Sequence, residues 1–285
     1  MRLATRTEQQ TVDVFMPAFN AEDTISRSIE GVLSQTYTDF FLHIRDDCSS
    51  DSTWEVIQGY AKLDKRILAK RNASNKGPIK NFNAILADCK SNFLCFTAGD
   101  DVFDEGKISY QLDYLNRNAD VAVCFHDYRI EDPSGHISKP KLKFIKSFYC
   151  DIPRMQFPTV TAMIRWGSDK CYRYENYPLC DVGFFIDYLL GEQGNAATLS
   201  ECHLTYVKTG HGLNVTSAHP RENKRKLELI EEHIQYCRLL VAKYPQHKKI
   251  LQKKIVNLML YKRHFVSDIT SKVSLAKAVL QALYE

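Results

Sequence analysis

The sequence predicts an α/β protein, with a mostly parallel sheet flanked by helices and a helical appendage at the carboxyl end. Three observations predict it. Short apolar runs alternate with stretches of helical periodicity through the first half of the chain. The apolar runs end in polar clusters, at the edge where open parallel sheets bind ligands. From Pro220 the composition turns basic: residues 220–285 hold 14 Lys/Arg and 6 Asp/Glu, so this segment carries +8 and the remainder −4 of the net +4. The expected division is therefore a ligand-binding domain over 1–219 and a basic helical extension over 220–285.

The elements follow in order. Val12 to Pro17 reads as a strand closed by proline, followed by the loop Pro17-Ala18-Phe19-Asn20. Glu22 to Gln35 carries Ile25, Ile29, Val32 and Leu33 at helical spacing. Phe40 to Arg45 is a second strand, ending in Asp46-Asp47-Cys48-Ser49-Ser50-Asp51. Ser50 or Asp51 caps the next helix, through Trp54, Val56, Ile57 and Tyr60. A short strand is expected at 66–70, then the turn Asn75-Lys76-Gly77-Pro78 and a helix through Phe82, Ile85 and Leu86.

Phe93-Leu94-Cys95-Phe96 then runs into Thr97-Ala98-Gly99-Asp100-Asp101. An unbroken apolar run reads as a strand buried on both faces. Two adjacent acids at its end are costly unless their charge is used, either to cap a helix or to hold a hard cation. Mg²⁺ and Mn²⁺ prefer carboxylate oxygen and bring phosphate with them. No glycine-rich dinucleotide fingerprint or P-loop occurs, so a bound phosphate would need such a metal.

Composition narrows the setting. No run of about 18 apolar residues exists, so no transmembrane helix is expected. The polar start, residues 1–10, lacks an apolar signal region. Nine scattered cysteines without a C-x-x-C pair argue for reduced thiols in the cytoplasm rather than disulfides or structural zinc. Asn72-Ala73-Ser74 and Asn214-Val215-Thr216 match a glycosylation pattern that has no meaning without secretion.

In the second half, Lys107 to Asn116 is helical, and Val121 to Phe125 is a buried strand ending in His126-Asp127-Tyr128. His126 is either a structural residue or a metal or acceptor contact. Residues 131–149 read as a long basic loop, either solvated or a lid. Pro158 to Arg165 is a further strand. Asp181 precedes a helix containing Phe184, Phe185, Tyr188 and Leu189; short strands follow at 196–199 and 204–207. Beyond Pro220 three helices are expected. They pack on the first domain or on a second subunit as a homodimer, or they attach peripherally to an anionic inner membrane face. Nucleic acid is disfavoured, since aromatic residues do not interleave with the basic ones.

Five motifs in order carry a family resemblance: Val14 to Asn20, Val32 to Tyr37, Asp46 to Thr53, Asn75 to Gly77, and Gly99-Asp100-Asp101. Over roughly residues 12–215 the chain resembles glycosyltransferase family 2. The resemblance implies the A-type glycosyltransferase fold, a Rossmann-like α/β sheet, and inverting transfer from a nucleotide-sugar donor, most often a UDP-sugar. Carried over by position, Pro17, Ala18, Phe19, Asn20 and Glu22 line the nucleotide pocket. Asp47, or its neighbour Asp46, reads the base edge. Asn75 and Gly77 border the nucleotide, Asp100 meets the ribose, and Asp101 coordinates Mn²⁺ or Mg²⁺. Asp181, preferred over Asp187, is the general base, because inverting transfer needs a carboxylate within reach of the acceptor hydroxyl. Many members have an acid where this chain has Ala98, and a histidine where it has Thr209. His211, or more weakly His219, would then help hold the metal, and Lys208 would neutralise the leaving diphosphate.

The resulting expectation is a metal-assisted glycosyltransferase acting on a glycan or lipid-linked acceptor in surface polysaccharide or glycolipid assembly. Its rivals are a non-catalytic nucleotide-sugar-binding or scaffold protein and a sugar-phosphate nucleotidyltransferase.

Overall fold

The structure, a computed structural model, describes residues 10–139, 159–167, 169, 172–173, 180–207, 221–262, 275 and 278–279. By internal packing the chain falls into two compact units. One comprises Met1–Phe144, Phe157–Arg173 and Ala196–His211; the other Ile145–Gln156, Tyr174–Asn195 and Gly212–Glu285. The composition break at 219/220 thus differs from the packing division, which groups Tyr174–Asn195 with the basic helices.

The first unit is built on β1 (Val12–Ala18), α1 (Ile25–Leu33), β2 (Phe40–Asp46), α2 (Thr53–Leu63), β3 (Ile67–Arg71), α3 (Pro78–Asp88) and β4 (Phe93–Phe96). It continues through β5 (Asp101–Phe103), α4 (Lys107–Arg117), β6 (Val121–Glu131), β7 (Ile137–Ser138), a 3₁₀ turn at Thr159–Thr161, β8 (Met163–Arg165) and β9 (Asn195–Val207). The strands form one sheet in the order β3-β2-β1-β4-β8-β6-β9-β5, with β7 paired to β6. The β3-β2-β1-β4 half is parallel. The pairs β4–β8, β6–β8 and β5–β9 are antiparallel.

The parallel half follows from sequence pattern. Val12, Val14, Phe15 and Met16 are all buried, so both faces of β1 are covered, as a parallel strand between helices requires. Ile25, Ile29 and Val32 form the buried stripe of α1. Gly31 lies on that stripe because a Cβ there would come within 3.0 Å of the Phe103 backbone, so α1 crosses β5 in direct contact. Each fully buried aliphatic side chain in this layer contributes about 1.5–3 kcal/mol.

The register brings the strand ends to one edge. Ala18 lies beside Asp46, and Asp46 beside Arg71. Phe15 pairs with Phe96, so the chain beyond β4 emerges at the same edge.

The observed elements differ from expectation in places. α1 begins at Ile25 rather than near Glu22, because the Thr24 and Ile25 N–H groups fold back onto the Ala21 carbonyl. β6 runs on to Glu131, so His126 lies within a strand rather than after it. The two short strands expected near 196–207 are one strand of 13 residues, since backbone pairing carries the chain through the polar Ser200 and Glu201.

The second unit holds α5 (Cys180–Glu192), α6 (Arg221–Lys243), a 3₁₀ turn (Pro245–His247) and α7 (Lys248–Lys262). Ile230, Ile234, Cys237, Ile255 and Met259 form its apolar cluster. No helix among the described residues is long and apolar enough to cross a membrane.

Candidate active site

Two loops at the carboxyl edge of the sheet are stitched together. Asn20 takes the left-handed conformation, φ 47°, which asparagine tolerates better than most residues. Its N–H donates to Ser49 Oγ at 2.9 Å, and its Oδ1 accepts the Ser50 N–H at 2.9 Å. Ala21 N–H reaches Thr53 Oγ1 at 2.7 Å. Glu22 Oε2 accepts the Ser52 N–H at 2.9 Å, while Glu22 N–H donates to Asp51 at 3.2 Å. Burial raises the Asp51 carboxyl, but bonds from Thr53 and Glu22 outweigh it and hold the group below its usual range. The N-cap of α2 is Ser52, which makes no side-chain capping bond, rather than the expected Ser50 or Asp51; Asp51 sits one residue earlier and takes the Thr53 N–H at 3.0 Å. Phe19 stands half exposed on this rim.

The adjacent acids Asp46 and Asp47 have different partners. Asp46 is fully buried, held by the Ser49 N–H and hydroxyl and by Arg71 Nε at 3.0 Å. Asp47 takes Asn72 Nδ2 at 2.7 Å, Lys76 N–H at 2.8 Å and Gly77 N–H at 2.9 Å. Its carboxylate thereby shapes the 72–77 turn, where Gly77 has φ 78° and Asn75 Oδ1 accepts the same Gly77 N–H. Asn75 itself is exposed. Sequence reasoning missed Arg71 and Asn72. Their signal was their place at the carboxyl end of β3, the same rule that marked the other loops.

Asp100 and Asp101 sit where β4 turns into β5. They do not cap a helix, since α4 starts only at Lys107. Gly99 packs tightly at the turn: its N–H donates to the Pro17 carbonyl, and a Cβ would stand 3.0 Å from Ile25 Cδ1. Thr24 Oγ1 donates to the Gly99 carbonyl at 2.8 Å, tying the turn before the acids to the segment that opens α1. Asp101 is 1% exposed. One carboxylate oxygen has no hydrogen-bond donor among the described residues, and the Val207 N–H serves the group from β9. Burial, then the neighbouring Asp100 charge, push its carboxyl well above the ordinary range. Burial also raises Asp100. Two crowded carboxyls, one with an orphaned buried oxygen, fit a divalent cation, because a cation satisfies the oxygen and removes the repulsion.

Behind the acids, fully buried Lys107 donates to Gln111 Oε1 at 2.8 Å and Cys95 Sγ at 3.1 Å and lies over the Phe103 ring. His126 is fully buried and bonds the Asp127 carbonyl through Nδ1, and burial holds its pKa well below the ordinary value.

Asp181 falls on the first turn of α5, with its side chain outside the described residues. Asp187 is committed: Lys243 Nζ holds both its oxygens, at 2.8 and 2.9 Å. Lys208, Thr209, His211 and His219 lie outside the described residues, as does most of the basic loop expected over 131–149.

Residues 13–177, more than half of the chain, match the family described as Glycosyl transferase family 2. The chain belongs to glycosyl transferase family 2. This glycosyltransferase is 27% identical over 179 residues to an uncharacterized glycosyltransferase of Haemophilus influenzae, covering 62% of this chain and 71% of that one. It is 33% identical over 122 residues to an Escherichia coli UDP-Glc:alpha-D-GlcNAc-diphosphoundecaprenol beta-1,3-glucosyltransferase, WfaP, over 43% of this chain and 47% of that one. The match thus spans about half the length of the latter relative. Among solved structures the glycosyltransferase resembles S. aureus TarS in complex with UDP-GlcNAc, with TM-score 0.70 and 14% identity, over 96% of this chain and 81% of that one. It also resembles the mannosyltransferase PcManGT of Pyrobaculum calidifontis in complex with GDP-Man and Mn²⁺, with TM-score 0.61 and 14% identity, over 98% and 82% of the two chains. These likenesses establish the A-type glycosyltransferase fold. The family is one of glycosyltransferases, not of nucleotidyltransferases.

Proposed function

We propose that the enzyme moves a sugar, with inversion, from a UDP-sugar to a hydroxyl of a glycan or lipid-linked acceptor in surface polysaccharide or glycolipid assembly. The observation that carries this reading is the buried oxygen of Asp101 that has no donor among the described residues, at the same sheet edge as the Asp47-braced loop. The E. coli relative, whose name specifies UDP-Glc and a diphosphoundecaprenol acceptor, and the UDP-GlcNAc complex of TarS support the choice of donor and acceptor.

Pro17 to Asn20, Glu22, Asp47, Asn75 and Gly77 form the nucleotide wall, and Asp46 anchors it. Asp100 faces the ribose. Asp101, with His211, would hold Mn²⁺ or Mg²⁺, which when bound offsets the charge of the departing diphosphate. Asp181 takes the acceptor's hydroxyl proton. The acceptor oxygen bonds to the sugar's anomeric carbon as the bond to phosphate breaks, and that electron pair leaves with the nucleoside diphosphate. The basic helices beyond Pro220 rest on an anionic membrane face at the cytoplasmic side, or against a second subunit.

The test is nucleoside diphosphate release from UDP-, GDP- and dTDP-sugars with Mn²⁺, Mg²⁺ or chelator, beside Asp101→Asn and Asp181→Asn. Release from one donor, abolished by chelator and in both variants, is the expected result. Absence of binding by any nucleotide sugar would overturn the reading.

A further inference from the structure

A second cluster of ligating side chains lies away from the nucleotide edge. Asp13 on β1, His43 on β2 and Cys89 just after α3 each offer one ligand atom, and these atoms all lie within 4.8 Å of one another. All three are buried, at 2%, 7% and 1% exposure, and Cys89 is a free thiol. Asp13 is four residues before Pro17 on the same strand, roughly 13 Å away along β1, so this cluster and the diacid do not share a ligand.

The hydrogen bonds around Asp13 have the form of a supported ligand. Its Oδ2 accepts two backbone N–H groups, from Lys90 at 2.6 Å and Ser91 at 2.8 Å. Its Oδ1 meets His43 Nε2 at 2.9 Å. One oxygen is therefore fixed by the chain, as metal-bound carboxylates are, and the other is held against an imidazole nitrogen with a thiol beside it. The Cys89 position is fixed too: its N–H bonds the Ile85 carbonyl, and its carbonyl accepts Trp166 Nε1 at 3.2 Å.

We propose that Asp13, His43 and Cys89 form a binding site for a borderline-soft divalent cation, Zn²⁺ in the first instance, distinct from the hard-ion site at Asp100 and Asp101. Carboxylate, imidazole and thiolate are a zinc donor set, whereas Mg²⁺ and Mn²⁺ favour oxygen alone. Zinc–ligand bonds of about 2.0–2.3 Å set tetrahedral ligand separations of about 3.3–3.7 Å. The 2.9 Å Asp13–His43 pair therefore opens slightly, and the thiol, within 4.8 Å of both, moves in by about 1 Å. On binding, the thiol proton passes to solvent, the imidazole carries its proton on Nδ1, and water completes the coordination. The ion would fasten the α3–β4 connection to β1 and β2, so its effect is on stability.

The experiment uses the full chain in the Asp101→Asn background, freed of metal and titrated with Zn²⁺ or Co²⁺ alone. One equivalent should bind with a rise in Tm, and Co²⁺ should show a thiolate charge-transfer band. Cys89→Ser and His43→Gln should each weaken binding at least ~10-fold and remove the Tm gain. X-ray absorption at the zinc edge should find one sulfur and otherwise light ligands, a readout that does not depend on how the variants fold. Absence of binding, a zinc shell with no sulfur or several, or a cobalt band that survives Cys89→Ser would overturn the proposal.

Discussion

Gln35 donates its side-chain amide to the Asp104 carbonyl at 2.7 Å and accepts the Ile108 N–H at 3.0 Å. The same amide reaches back to the Gly31 carbonyl. One buried side chain thus links the end of α1 to the β5–α4 connection and holds the segment that starts at Asp101. Gln35→Leu removes these bonds and takes the acceptor from the Ile108 N–H, while the Asp104 carbonyl keeps the Lys107 N–H. The expected loss is about 1–3 kcal/mol, read as a lower midpoint in chemical denaturation; an unchanged midpoint would show that water replaces the amide.

Asp47 braces the 72–77 turn through three N–H donors. Asp47→Ala releases all three. Charge-assisted bonds contribute about 1.5–3 kcal/mol each, so nucleotide-sugar affinity should fall by at least about tenfold, measured by calorimetry. Asp46→Ala should instead lower Tm first, because Asp46 is sealed between Ser49 and Arg71.

Asp101→Asn separates function from stability. The substitution removes a buried charge beside Asp100 while keeping the shape of the side chain. Without added metal its Tm should equal or exceed that of the parent. Donor turnover should fall about 10²–10³-fold, the range for losing one preorganised electrostatic contact. A variant that is both less stable and fully active would contradict this assignment.

Lys254 and His233 make the second unit sensitive to pH. Burial lowers Lys254 to about 8, the nearby Cys237 opposing it, and lowers His233 to about 3, with Lys254 adding to the effect. An unfolded lysine keeps its proton to about 10.4. Between about 8 and 10.4 the unfolded chain therefore binds more protons than the folded one, and stability rises with pH. For His233 the same sign holds between about 3 and 6.5, so stability is lost as pH falls through that window. Lys254→Met should stabilise the protein at pH 7 by roughly 3 kcal/mol. The gap in Tm between variant and parent should narrow as pH approaches 10. A gap that does not change with pH would assign the effect to packing.

The sequence by itself determined the parallel half of the sheet and the family. Apolar runs such as Val12 to Met16 and the stripe Ile25, Ile29 and Val32 are local patterns, and local patterns fix element type. Polar clusters after those strands could be assigned to one edge because parallel crossovers have a fixed hand. Tertiary structure alone decided what each acid does there. Asp46 and Asp47 are neighbours of identical chemistry. One points to Ser49 and Arg71 and the other to the 72–77 turn, because Asp46 is the last residue of β2 and Asp47 the first of the loop beyond it. Asp187 looked available for catalysis until the fold brought Lys243 to it from 56 residues away. The reunion of Asp13, His43 and Cys89 was equally hidden. Their separations in sequence follow no metal-binding spacing, and only the pairing of β1 with β2 and the return of the chain after α3 bring them together.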